Sequence, residues 1–104
     1  MKISNTETIA NQTISETLGI ARGSTVRSRN IGRDIFASLK NIVGGEIEEY
    51  TKLQADAREQ ALKRMISDAQ RLGADAVVNV RFTTSVVAQG ASEMLAYGTA
   101  VKLK

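Results

Sequence analysis

The side chains best suited to chemistry lie between residues 46 and 59. Five acids stand there, Glu46, Glu48, Glu49, Asp56 and Glu59, with only Lys52 and Arg58 among them to offset the charge. Carboxylates are hard oxygen donors, and calcium takes about six to eight such oxygens. Glu49, Asp56 and Glu59 are separated by seven and three positions, so one helix face can carry them all. Glu46, Glu49, Asp56 and Glu59 are therefore the candidate cation ligands. A few carboxylates from one helix still fall short of a full shell. The expected role is a solvated acidic face, and the alternative is weak binding of a hard cation, shared between subunits.

Other chemistries have fewer residues to work with. The chain has no Cys and no His. Soft metals want thiolate, thioether or imidazole, and Met1, Met65 and Met94 are the only soft donors. No tight heavy-metal site is expected, and neither a Ser-His nor a Cys-His arrangement can form. Asp75, with Asn79 and Arg81 at alternating positions, could line a cleft, but nothing marks these residues as catalytic. No catalytic residue and no cofactor are expected, and an enzyme of unknown type is the last alternative. A basic stretch of Arg22, Arg27, Arg29, Arg33 and Lys40 is offset only by Asp34, and Lys102 and Lys104 end the sequence. Proteins that grip single strands add aromatic stacking platforms to such charge. Phe36, Tyr50, Phe82 and Tyr97 do not interleave with it along the chain, so nucleic acid is not an expected partner.

These residues are positioned by a small set of elements. Residues 12–28 alternate, with Ile14, Leu18, Ile20 and Val26 at even positions and small or polar residues at odd ones. Period 2 predicts a strand with one face buried. Gly19 and Gly23 within it suggest a bulge or the close approach of another backbone. Ile35, Phe36, Leu39, Ile42 and Val43 trace one helical stripe, which Gly44-Gly45 ends. A longer helix is predicted from Glu46 to Leu72, with Ile47, Tyr50, Leu53, Ala57, Ala61, Met65, Ala69 and Leu72 at spacings of three or four. A Thr51–Gln54 capping box could start it later. At ~1.5 Å per residue this helix would be roughly 40 Å long, longer than a compact 104-residue globule, so it should cross a sheet or a neighbouring subunit. Asp75–Val87 and Glu93–Lys104 alternate as the arms of an antiparallel hairpin. The even residues from Ala76 to Val86 are expected on one face of the first arm.

At 104 residues this is a single domain, 1–104. A chain of this size buries about 60–65% of its unfolded surface, so association is an easy way to bury more. The polar start Met1–Glu7 has no apolar signal core, and no apolar run reaches the ~18 residues of a membrane span. The expected location is the cytoplasm, with no membrane partner.

The chain resembles the bacterial YbjQ-like family of uncharacterised proteins, which carries a heavy-metal-binding label. The matching pieces are Leu18–Gly23, Leu39–Gly45, Glu49-Tyr50, Ala57–Ala61, Gly73–Val78 and Tyr97–Val101, in this order over nearly the whole chain. The resemblance implies a small α+β subunit, dodecin-like in its β-α-β-β outline, with one long helix on an antiparallel sheet. It also implies a ring-shaped homopentamer and no particular activity. The chain lacks the Cys and His that the label would call for. The expected function is that of a non-catalytic homo-oligomeric binding or scaffold protein, with any ligand between subunits. The candidate interfaces are the strand-rich stretches 12–28 and 93–104.

Overall fold

The computed structural model describes residues 1–27, 48–88 and 91–104, and the helix side chains from Gln54 onward. The stripe at 31–43, the Gly44-Gly45 stop and residues 89–90 lie outside the described residues, and of the turn expected over Gln89–Ser92 the last two residues, Ala91 and Ser92, belong to a strand instead. The elements are β1 (Lys2–Ile3), β2 (Ile14–Arg27), α1 (Glu48–Arg71), β3 (Ala76–Ala88) and β4 (Ala91–Leu103). The strands form one sheet in the order β1-β3-β4-β2. β4 pairs antiparallel with β2 on one side and β3 on the other, while the short β1 lies parallel to β3. The sheet is therefore mixed, and the parallel β1 is an element the residue pattern did not show. Two residues are too few for an alternation to appear.

α1 lies over β2 and β4, and the reason is steric. Its buried stripe is Ala57, Ala61, Met65 and Ala69, at a spacing of four. The sheet answers with Ala21, Ala96 and Ala100, all fully buried. Gly23 sits at the centre. A Cβ on Gly23 would lie 2.2 Å from the Met65 amide nitrogen and 2.5 Å from the Ala61 carbonyl oxygen. The glycine thus admits the helix backbone itself, the close approach its position suggested. Thr25, also buried, donates its hydroxyl to the Ala57 carbonyl at 3.0 Å, so the one buried hydroxyl of this seam is satisfied. α1 runs unbroken through Thr51, so it does not wait for the capping box to start. Gly73, at φ +82°, lets the chain leave the helix.

β2 therefore buries its small face, and Ile20 and Val26 stand exposed at 69% and 54%. A bulge between Thr17 and Gly19 changes the parity, which puts Leu18 on the helix side with Ala21. A second bulge does the same in β3. Asn79, at φ +54°, takes an extra place opposite β4, between the pairs Val78↔Thr99 and Arg81↔Tyr97. The even residues of β3 do not share one face. Ala76 and Val78 lie on the side away from α1, under Ile9 of the N-terminal segment. Val80 packs on the helix side, and the register there places Phe82, opposite Ala96, and Thr84, opposite Met94, on that side too.

The described residues span 54 × 27 × 16 Å with a radius of gyration of 17.0 Å, against ~13 Å for a compact domain of this size. The described residues form a two-layer slab. A 24-residue helix, roughly 36 Å long, lies along its length without overhang. The helix thus crosses the sheet, one of the two placements expected from its length, and it does not overhang because the subunit is extended and not a sphere. Among the described residues no helix is long and apolar enough to cross a membrane.

Candidate functional site

Glu46 lies outside the described residues, and only the backbone of Glu49 is described, within α1. Asp56 and Glu59 sit on the exposed side of α1, next to the buried Ala57. Among the described residues no three acidic, His or Cys side chains come together. Thioether donors offer no more. Met65 is fully buried, Met1 is 46% exposed near β1, and Met94 accepts the Thr84 hydroxyl on its sulfur at 3.4 Å. Oxygen donors on an open helix face and a thioether sealed in the core do not suit a soft metal ion.

Asp75, Asn79 and Arg81 do not line one cleft. Asp75 Oδ2 accepts the main-chain N–H of Leu103 at 2.9 Å and the Asp75 N–H donates to the Val101 carbonyl, so Asp75 ties the end of β4. The Asn79 bulge turns Arg81 to the opposite face of the sheet from Asp75. Arg81 Nη1 donates to the carbonyls of Asn5 at 2.9 Å and Val80 at 3.0 Å.

Two surfaces stand out instead. The first is the outer side of β3. The N-terminal segment pairs with β3 as far as Val80, through Ser4 N–H to Val77, Asn79 N–H to Thr6 and Val80 N–H to Ser4. Beyond it, among the described residues, the outer edge of β3 to Ala88 has no backbone partner. Phe82, Val86 and Val87 are 46%, 80% and 53% exposed there. A groove of about 480 Å³ opens beside this edge, between Ile3, Leu62, Val80 and Phe82. The outer edge of β2 differs, because α1 caps it. The Arg22 main-chain N–H donates to Asp68 Oδ2 at 3.0 Å, and Arg64 Nη1 donates to the Ser24 carbonyl at 2.5 Å. Asp68 also holds Arg71 at 2.7 Å. The Arg71 hydrogen bond, then that from Arg22, keeps the Asp68 carboxyl below the usual aspartate range.

The second surface is the sheet face away from α1. Arg22 of β2 lies opposite Tyr97 of β4, and Arg81 of β3 lies opposite Tyr97 from the other side. One row across three strands thus reads Arg–Tyr–Arg, and all three side chains are exposed. The aromatics do not interleave with the charges along the chain, yet Tyr97 does so across the sheet. Arg22 and Arg81 stand 75 and 16 positions before Tyr97, and only the strand register brings the three into one row. Of the rest of the basic stretch, Arg27 is half-buried with Nη2 donating to Gln60, and Arg29, Arg33 and Lys40 lie outside the described residues.

A family model described as "Putative heavy-metal-binding" matches residues 1–104. A relative from Halorubrum lacusprofundi is 59% identical over 100% of both chains. One from Archaeoglobus fulgidus is 61% identical over 98% of this chain and 94% of its own. One from Photobacterium profundum is 59% identical over 94% of this chain and 95% of its own. All three bear the name UPF0145 protein, and two come from archaea, so the kinship extends beyond bacteria. A crystal structure of a protein of unknown function from Pediococcus pentosaceus, assigned to the DUF74 family, has a TM-score of 0.65. It is 15% identical, and the match covers 100% of this chain and 98% of that one. At that identity the likeness speaks for the fold alone.

Proposed function

The chain belongs to the YbjQ family, and on that premise we propose that it is a non-catalytic, self-associating binding or scaffold protein. Its copies join as a ring of five, and ligands are taken between or upon them. The observation that carries this reading is the bare edge of β3. An unpaired strand edge with exposed apolar side chains is a template for another chain, and Phe82, Val86 and Val87 are such side chains. The small-residue core gives a second support. Among the described residues eleven buried apolar residues, seven of them alanine, form a light core, so the gain from burying more surface is large relative to a marginal stability.

A closed ring needs two different patches that meet. The outer edge of β3 is one. The exposed Ile20 and Val26 side of β2 supplies the other. β4, one of the stretches expected at an interface, is paired on both sides and offers only a face. A neighbouring copy beside β3 would also bring an apolar cover to Phe82 and Val86, which α1 of the same chain leaves bare.

Amide hydrogen exchange tests the edge directly. Protection of the β3 amides between Arg81 and Ala88 should rise with protein concentration. Amides of the outer edge that exchange at the rate of open chain at every concentration would contradict the reading.

A further inference from the structure

We propose that the sheet face away from α1 binds nucleotide units, with the base stacked on Tyr97 and phosphates held by Arg22 and Arg81. The placement follows from the register, which puts both arginines opposite the same tyrosine. Strands lie ~4.8 Å apart, so the two arginine Cα atoms are about 10 Å apart with the phenol ring between them. A planar aromatic group with negative charge beside it engages the ring and a cation together. That is the chemistry of a nucleotide, and it is how sequence-tolerant single-strand sites are built.

The surroundings keep the charge available. The next row toward the hairpin turn is Ser24–Leu95–Thr83, hydroxyls about an aliphatic centre. The first acid on this face in that direction, Glu93, is four residues from Tyr97 along β4, roughly 13 Å away. Asp68, across the edge from Arg22, is held first by Arg71 and the Arg22 main-chain N–H, and the Arg22 charge is only the smallest of the influences on it. The carbonyls of Asn5 and Val80 order the Arg81 guanidinium without neutralising it. The chain as a whole carries a net charge of +3, which suits a polyanion. Ile20 and Val26 flank Arg22 on this same face, so the inference requires that a copy docked on them leave the Arg22–Tyr97–Arg81 row open.

The test is a titration of the full chain at low salt, where phosphate contacts are strongest. One arm uses a fluorescent single strand of about 20 nucleotides, longer than the ~4–16 nucleotides that an OB-fold site spans; the other uses a mononucleotide by calorimetry. Saturable binding is expected, weakened roughly tenfold by Tyr97→Ala, retained by Tyr97→Phe, and weakened by Arg22→Gln and by Arg81→Gln. Equal affinity for the mononucleotide identifies a free nucleotide as ligand, and binding of the strand alone identifies nucleic acid; either supports the assigned face. Failure of both ligands to bind overturns it, as does binding that none of the variants weakens. A fall in assembled mass on Tyr97→Ala also overturns it, because the face would then be a contact between copies. If Tyr97→Ala does not fold, the exposed Arg22→Gln decides the matter.

Discussion

Gly23 shows how one residue sets the distance between the two layers. Its absent side chain leaves room for the backbone of α1, and neither the Met65 amide nor the Ala61 carbonyl can move without the helix. Gly23→Ala should cost about 3 kcal/mol or more, read as a fall in the midpoint of urea unfolding. Gly98 is packed by side chains as well as backbone. A Cβ there would meet Val77 Cγ1 at 2.6 Å and the Val78 carbonyl oxygen at 2.9 Å. Gly98→Val should cost about 1–3 kcal/mol, and an unchanged melting temperature would show that the site yields. The neighbours are within the same chain, so the loss should appear in the stability of the subunit as well as in its assembly. At this scale the sequence made the glycines visible as places of close approach, but not what approaches them. The metal expectation also belongs here. Calorimetric titration of metal-free protein with zinc, copper and cadmium should find no submicromolar site. A stoichiometric site abolished by Glu49→Gln would contradict the donor chemistry.

Between elements, Asp68 joins α1 to the edge of β2. Its carboxylate takes the Arg22 main-chain N–H and the Arg71 guanidinium, and both favour the charged form in the fold. The folded pKa therefore lies below the unfolded one. The stabilisation is present above the unfolded value and is lost as pH falls through the folded one. Asp68→Asn should lower stability at neutral pH, and the gap from the unsubstituted protein should close as pH drops below the ordinary aspartate range. A gap of constant size in urea unfolding from neutral to acid pH would rule out the charge as its cause. The elements themselves were legible. The long helix and both hairpin arms lie within a few residues of where apolar spacing puts them, because their stripes are long. Faces were harder to read. Ile14, Leu18, Ile20 and Val26 look like one buried side until the bulge at Gly19 divides them, and the even residues of β3 are divided by Asn79. An alternation pattern holds no sign of an extra residue unless a glycine marks it, and Asn79 is not a glycine. The pairing of Tyr97 with two arginines was hidden for the same reason, since register is a relation between distant segments.

For the whole molecule, the sequence pointed to a light core and to association, while its shape was not readable. A slab one helix and one sheet thick leaves one strand edge and, beyond the end that Ile9 covers, one sheet face without cover from the described residues. The candidate acids, the clearest signal along the chain, do not assemble into a site among those residues. Of the surfaces that the fold does present, the β3 edge is one strand left unpaired, and the Tyr97 row comes from residues far apart in sequence. The central claim is that this edge joins copies of the chain. Light scattering coupled to size exclusion at micromolar concentration tests it most directly. A mass five times that of the 11.2 kDa chain is predicted, with a shift to smaller species in Val86→Lys. A monomer at that concentration would contradict the account.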